Sequence, residues 1–306
     1  MSAMPKPIAV ICSDLHLHSV APLKRLGDWQ GDMWKSLKFV SDLANKKRVP
    51  VICCGDIFHA AQETPMVELM MLEFINRISN GFFSIPGQHD MRHHKHDLEG
   101  TSYKLMQKVC ENAGLCDIED DVAFRRIIPG DDRILIYYVP WGKLGELPTI
   151  KKEPWQKLGI VAHELTFTEC FPNSMSVSDW FDNFPQIDFF CIGDNHKSFI
   201  KRRGDRFVLS PGSLMNRAID QMDRTPFVFL LYSDLSIKRV ANKYEKEVEF
   251  HDVLEMVKGT EATRFCEAFG NQDHEKISFY HALQNRRMKE TGRVREILDE
   301  LEGMLK

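Results

Sequence analysis

The chain has 306 residues, 43% of them apolar, which is enough for a sizeable core and excludes a chain that is disordered throughout. Its formal charge of −4 excludes a protein that coats nucleic acid by general basicity. It does not exclude an enzyme acting on nucleic acid, because carboxylates that hold cations count as negative here and two bound dications would add about +4.

The eight cysteines form no C-x-x-C pair, and several lie in apolar runs, so they read as reduced small hydrophobes of a cytoplasmic protein. The first apolar run is too short for a signal peptide, and no run approaches the roughly 18 apolar residues of a membrane span.

PIAVIC (7–12) is a continuous apolar run, as a strand buried on both faces requires. Residues 31–47 have helical periodicity, with Met33, Leu37, Val40 and Leu43-Ala44 on one face. VPVICC (49–54) reads as a second buried strand. Residues 65–79 read as a helix with Pro65 in its first turn, GFFSIP (81–86) as a third strand, and 101–113 as a helix stopped near Gly114. Five later runs read as strands: ILIYYVP (134–140), LGIVAH (158–163), FFCIGD (189–194), RFVLSP (206–211) and PFVFLLY (226–232). NKYEKEVEF, from 242, alternates and suggests a last strand. Val294, Ile297, Leu298, Leu301 and Leu305 recur at helical spacing and suit either packing on the domain or docking a partner. This order predicts an α/β chain with a large mixed sheet, or two packed sheets, flanked by helices. Residues 1–240 would form the main domain, and 241–306 a charged, mainly helical C-terminal region.

The polar residues follow the strands closely. Ser13-Asp14-Leu15-His16 succeeds the first, Gly55-Asp56-Ile57-Phe58-His59 the second, and Gly87-Gln88-His89-Asp90 the third. LGIVA leads to His163-Glu164, and FFCI to Gly193-Asp194-Asn195-His196. Sites in open α/β sheets form beyond the carboxyl ends of strands. Side chains at i and i+2 of an extended segment point the same way, so Asp14 with His16, and Asp194 with His196, can each aim two ligands at one place. Glycines at 55, 87 and 193 would let the backbone turn sharply. Buried carboxylates and imidazoles are costly unless paired or metal-bound, and a mixed Asp/His/amide set suits hard or borderline dications. Seven such side chains exceed the needs of one ion and point to two ions sharing a carboxylate, the arrangement used for phosphoryl-oxygen displacement.

Together these motifs resemble those of the calcineurin-like metallophosphoesterases, and within them the Mre-eleven/SbcD DNA-repair nucleases. The serine/threonine phosphatases of the superfamily carry G-D-x-x-D-R-G and G-N-H-E. Here the second motif is Gly55-Asp56-Ile57-Phe58-His59, with Pro65 downstream, a form typical of the nuclease branch. Ser210-Pro211-Gly212-Ser213 resembles that branch's late P-G-S loop, and the similarity spans about residues 7–235.

The resemblance implies a metallophosphoesterase-type sandwich of two mixed β-sheets flanked by helices, with a short C-terminal helical appendage. It implies a two-metal DNA nuclease of repair and recombination, an exonuclease with or without endonuclease action. Two divalent ions, Mn²⁺ before Mg²⁺, would be the cofactors. DNA, an SMC-like ATPase and a second copy of the chain would be the partners. Asp14, His16, Asp56 and His196 would hold the first ion, and Asp56, Gln88, His163 and Asp194 the second. His89 would be the general acid, oriented by Asp90, and His59 would help position the DNA strand. Two positions depart from the family pattern: Gln88 replaces the usual Asn and Asp194 the usual His, which favours harder ions at the second position. The alternatives are a phosphoesterase acting on phosphoproteins or small phosphoesters, and a non-catalytic binding subunit of a repair complex.

Further candidates are tied to the substrate. Arg92 and Lys95, with His93, His94 and His96, either line a phosphate-binding rim or form a solvated loop. Arg202 and Arg203, between Lys201 and Arg206, form a basic tip after Asp194 and His196 that suits backbone phosphates or solubility. Ser213 and Arg217 would contact a phosphate. His18 is expected on the loop surface, Glu164 behind His163, and the five tryptophans in the core or facing partners rather than stacking on bases.

Overall fold

Long apolar runs need backbone partners on both sides and cover on both faces, and the chain supplies both with two sheets. The computed structural model describes residues 4–245 apart from 23–24, 114–115, 128–132, 169–173, 218–220 and 222–223. In chain order the elements are β1 (Pro7–Cys12), α1 (Trp29–Lys47), β2 (Val51–Cys53), α2 (Pro65–Arg77), β3 (Phe82–Ser84), α3 (Ser102–Ala113) and β4 (Cys116–Ile118). There follow β5 (Ala123–Arg126), β6 (Ile134–Val139), β7 (Lys157–His163), β8 (Thr166–Phe167), β9 (Met175–Ser176) and α4 (Val177–Asn183). The last are β10 (Phe189–Gly193), β11 (Phe199–Arg203), β12 (Arg206–Ser210), β13 (Phe227–Tyr232) and β14 (Ile237–Ala241).

One six-stranded sheet has the order β14-β13-β1-β2-β3-β4 and the other β11-β12-β10-β7-β6-β5; β8 and β9 pair on their own. In the first sheet β1 to β4 are parallel, and in the second β6, β7, β10 and β12 are parallel. The mixed two-sheet sandwich is thus the expected architecture. Its core shows why the strands read as unbroken apolar runs. Alternate residues Ala9 and Ile11 of β1 and Phe229 and Leu231 of β13 meet Tyr138 of β6, Val161 of β7, Cys191 of β10 and Leu209 of β12 in one cluster. The intervening residues of the second sheet, such as Tyr137, Ile160, Phe190 and Val208, turn outward and are covered by Trp180 and Phe181 of α4. On α1, Met33, Leu37, Val40 and Ala44 form the buried face that its periodicity predicts.

The elements that the sequence does not announce are those without an apolar run. The edge strands β5 and β11 carry Arg125, Arg126, Lys201, Arg202 and Arg203 toward solvent. The short α4 is set by a capping box instead, with Asp179 N–H donating to Ser176 Oγ at 3.1 Å and Ser176 N–H to Asp179 Oδ2 at 2.7 Å. The last described strand is β14; of the segment expected as a strand from 242, residues 246–250 lie outside the described residues. Asn242 ends β14 by donating its amide to Ser36 Oγ (2.9 Å) and the Leu214 carbonyl (3.1 Å), and Lys243–Glu245 form a 3-10 turn.

The chain forms two compact units. The first takes in Met1–Val20, Gln30–Met215 and Thr225–Glu245 and carries the described strands. The second brings Ala21–Trp29 together with Asn216–Arg224; in it the Arg25 guanidinium donates to the Asn216 carbonyl at 2.5 Å and lies 4.8 Å over the Trp29 ring. The leucine spacing at 294–305 lies outside the described residues. Among the described residues no helix is long and apolar enough to cross a membrane.

Gly159 of β7 sits opposite Phe189 of β10, and a Cβ there would run into the Phe189 ring, which stacks on Phe207 at 5.6 Å. Gly159→Ala should therefore overpack the space between the sheets and lower stability by about 1–3 kcal/mol. Urea unfolding checks this, with the midpoint expected to fall at unchanged slope.

Candidate metal centre

The loops after β1 and β2 run side by side beyond the strands. Asp14 N–H donates to the Gly55 carbonyl at 3.1 Å, His16 N–H to Asp56 at 3.0 Å and Leu17 N–H to Ile57 at 2.8 Å. Because the ladder continues past the sheet, Asp14, His16 and Asp56 arrive in fixed register. The loop after β3 is tied to the same place by Asp90. Its buried carboxylate accepts from Phe58 N–H (2.8 Å), Gly87 N–H (2.9 Å) and Ile57 N–H (3.2 Å). From the other sheet, β7 ends on His163, beside Gly193 at the end of β10. Asp194 N–H donates to Asp14 Oδ1 at 3.1 Å, which joins the two sheets at their carboxyl ends.

Ring nitrogens and carboxylate oxygens converge there. His16 Nε2 lies 2.9 Å from His196 Nε2 and 3.6 Å from Asp56 Oδ2. His163 Nε2 lies 3.4 Å from Asp56 Oδ2 and 3.9 Å from Asp194 Oδ1. Its other nitrogen, Nδ1, is 2.8 Å from the Cys54 carbonyl, so Nδ1 carries a proton and Nε2 is the atom that faces the carboxylates. The Gln88 amide donates to Asp194 Oδ1 at 3.2 Å. A half-turn of that amide would place its oxygen where the nitrogen stands.

The centre is built under strain. Asp14, His16, Asp56 and Asp194 all have left-handed backbone, with φ of +50°, +43°, +50° and +79°. Such residues cost about 1–3 kcal/mol each and persist only where the surroundings impose them. Of the three glycines, Gly55 has φ +100°. Gly87 and Gly193 serve a different need from the sharp turn expected of them. A Cβ on Gly87 would overlap the Asp56 carboxylate, and one on Gly193 would overlap the Cys54 carbonyl and lie 2.5 Å from His163 Nδ1.

Electrostatics shows what the cluster lacks. Burial pushes Asp14 up to about 7, and burial with the Asp56 charge does the same to Asp90. Burial also pushes Asp194 up to about 6. At Asp56 burial works in the same direction, but the His163 and His89 charges outweigh it and hold the group below the ordinary carboxylate range. Burial would lower His163, yet the Asp56, Asp194 and Asp14 charges raise it well above an ordinary imidazole. The protein alone thus neutralises only part of this charge. Asp14 Oδ2, Asp56 Oδ2 and His163 Nε2 are buried without a hydrogen-bond partner. Ligand atoms of Asp14, His16 and His196, and of Asp14, Asp56 and His163, lie within 4.8 Å of one another. Orphaned oxygens beside inward-facing imidazoles fit a pair of divalent cations.

His89 and His59 complete the face. Their rings stack at 5.2 Å, and His16 meets His89 edge-on at 4.9 Å. His89 N–H donates to Asp56 Oδ1 at 3.0 Å, while its Nδ1 lies 2.9 Å from the His59 carbonyl. The carbonyl therefore orients the His89 ring, the role expected of Asp90, whose oxygens serve the loop backbone instead. His18 is half-buried rather than loose on the surface, with Nδ1 2.7 Å from Glu63 Oε1.

The substrate candidates fare differently. β11 runs antiparallel to β12, with Arg203 opposite Arg206, and β12 is parallel to β10 with Phe207 beside Phe189. Arg202 and Arg203 therefore lie at the amino end of β10, away from Asp194 and His196 at its carboxyl end. Arg203 pairs with Asp182 and lies 4.8 Å over Phe181, and Arg202 lies 5.3 Å over Phe207. Closeness in sequence misleads here because a whole strand intervenes. Ser213 is buried; its N–H donates to the His196 carbonyl at 3.2 Å and its hydroxyl to the Met215 carbonyl at 2.9 Å, so it supports the His196 loop. Arg92 is exposed with its guanidinium over Gly100. Arg217 belongs to the second unit, where its N–H donates to Gln221 Oε1 at 2.8 Å. The His94 side chain lies outside the described part.

Sequence reasoning missed Asn195, which braces the loop between Asp194 and His196. Its amide donates to the Thr166 carbonyl (2.7 Å), its oxygen accepts from Lys197 N–H (2.9 Å), and its carbonyl accepts from Ser210 Oγ (3.0 Å). Nothing local announces these long-range bonds.

The sequence profile of the calcineurin-like phosphoesterases matches residues 9–272. No curated protein matches the chain by sequence. Among solved structures, the chain is similar to an archaeal phosphodiesterase at 13% identity, covering 76% of this chain and 98% of that one with a TM-score of 0.43. It is also similar to the phosphopantetheinyl hydrolase of Mycobacterium tuberculosis at 14% identity, covering 77% of this chain and 96% of that one with a TM-score of 0.43.

Mn²⁺ added to chelator-treated protein should raise Tm, since a ligand at a hundredfold excess over Kd adds about 2.7 kcal/mol. Gly193→Ala, which displaces His163, should weaken Mn²⁺ binding by about 10–100-fold in calorimetric titration. Unaltered affinity would show that this packing does not set the centre.

Proposed function

Because the chain belongs to the calcineurin-like phosphoesterase family, whose profile spans residues 9–272, we propose that it is a metal-dependent phosphodiesterase that cleaves DNA. The observation that carries the reading is His59, stacked on His89 at the edge of the centre. In the phosphatase motif G-D-x-x-D-R-G the same position is an aspartate. Exchanging a carboxylate for an imidazole removes a negative charge that would repel the flanking phosphates of a polyanionic strand.

Asp14, His16, Asp56 and His196 are assigned to one divalent ion, and Asp56, Gln88, His163 and Asp194 to the other. Bound there, two such ions would draw charge from the phosphoryl oxygens and acidify an attacking water. The chain's own residues supply the rest. With Nδ1 committed to the His59 carbonyl, His89 has Nε2 to deliver a proton to the departing oxygen. The bond from His89 N–H to Asp56 Oδ1 fixes that ring relative to the shared carboxylate. The carboxylate of Asp194 and the amide of Gln88 favour Mn²⁺ or Mg²⁺ over Zn²⁺. An SMC-like ATPase and a second copy of the chain are the partners of this reading, with residues 241–306 a docking segment for a partner or for DNA.

The test compares substrates and ions. Linear DNA should be degraded with Mn²⁺, lost on chelation, and reduced by about 10²–10⁴-fold in His89→Ala with metal content unchanged. Turnover confined to an aryl phosphomonoester would replace the nuclease reading by a phosphatase acting on phosphoproteins or small phosphoesters. Binding of DNA without any turnover would leave a non-catalytic repair subunit. Metal analysis of protein purified without chelator should not find stoichiometric zinc.

A further inference from the structure

Trp141 and His96 take no part in the centre described above, yet their rings stack with centroids 5.0 Å apart and planes within 20°. Trp141 lies just past the carboxyl end of β6. That strand runs parallel to β7, which ends on His163. Adjacent strands lie about 4.8 Å apart, so Trp141 stands one strand beyond a candidate ligand. Its N–H donates to the Pro86 carbonyl at 3.2 Å, which fastens it to the segment that continues into Gly87, Gln88 and His89.

His96 reaches Trp141 from the loop that follows the same segment. Its backbone is left-handed, with φ +51°. Gly142 has φ +74°, and a Cβ on it would overlap the His96 ring. A strained histidine opposite a residue that must lack a side chain is a fitted contact rather than an accident of surface packing. His96 is exposed and Trp141 half-buried, so the pair presents aromatic surface to solvent beside the Gln88 and His163 side of the centre.

We propose that the His96–Trp141 pair is a stacking platform for a nucleobase of the substrate strand. The proposal rests on the phosphodiesterase reading and deepens it by naming what the site would hold besides phosphate. Every base has a π-face, so such a platform is tolerant of sequence and contributes about 5- to 150-fold in affinity per base. A phosphoserine peptide or an alkyl phosphomonoester offers no such face.

Two measurements decide it. In the first, the full chain without divalent ions, so that no bond is cleaved, is mixed with single-stranded oligothymidylate carrying one 2-aminopurine. Its fluorescence should be quenched by stacking in the wild type and in Trp141→Phe, and much less in Trp141→Ala and His96→Ala. Gly142→Ala, which moves the His96 ring without removing it, should also reduce the quenching. In the second, with Mn²⁺, the wild type should prefer thymidine p-nitrophenyl phosphate over methyl p-nitrophenyl phosphate by about 5- to 150-fold in kcat/KM. In Trp141→Ala and His96→Ala that ratio should collapse toward one. Quenching and preference retained in both alanine variants would overturn the platform, as would a wild type that quenches no position of the strand. A free 2-aminopurine nucleotide held as tightly as the strand would overturn the assignment to a strand. Hydrolysis of neither ester by the wild type would remove the phosphodiesterase reading, and the quenching would then decide the platform alone.

Discussion

Asp14, Asp56 and Asp194 are buried together with His163 at the carboxyl ends of two packed sheets. In a space with little water, like charges at such range cannot all ionise unless cations offset them. That constraint organises the surroundings. It explains why oxygens and a ring nitrogen stay buried without hydrogen-bond partners, against the ordinary rule for polar groups. It also explains why Asp14, His16, Asp56 and Asp194 tolerate left-handed backbone. A site that must aim several donors at one small volume specifies positions that relaxed strand ends would not give.

The framework that enforces those positions is mostly backbone. A carbonyl of Cys54 sets the tautomer of His163, a carbonyl of His59 sets the ring of His89, and three backbone N–H groups converge on Asp90. Gly87 and Gly193 are small because the Asp56 carboxylate, the His163 imidazole and the Cys54 carbonyl already fill the space that a side chain would take. Asn195 and Ser213 hold the His196 loop from beneath. The donors are thus preorganised by groups that are not donors themselves, which keeps the geometry while leaving the inward faces open to chemistry.

The basic residues divide along strand direction. Arg203 and Arg206 serve α4: one pairs with Asp182, and the other donates to the carbonyls of Phe181, Phe184 and Ile187. Cations at a helix C-terminus complement its dipole and satisfy its last carbonyls. At the centre the rings of His59 and His89 stack on each other, and those of His96 and Trp141 form a separate stacked pair.

The sequence by itself determined the buried strands and the polar residues that end them. Both are local: a strand covered on both faces needs an uninterrupted apolar run, and ligands at its carboxyl end follow within a few residues. PIAVIC before Asp14 and His16, and FFCIG before Asp194 and His196, are legible for that reason. What the tertiary structure alone decided is which neighbours in sequence are neighbours in space. Arg202 and Arg203 follow His196 closely in the chain but lie a full strand away, because β11 runs back toward the other end of the sheet. Asp90 sits beside His89 in sequence yet bonds to the loop after β2, and Trp141 meets His96 across a gap of more than forty residues of chain. Strand direction and long-range hydrogen bonding leave no local trace in composition or periodicity. They are fixed only when the two sheets pack.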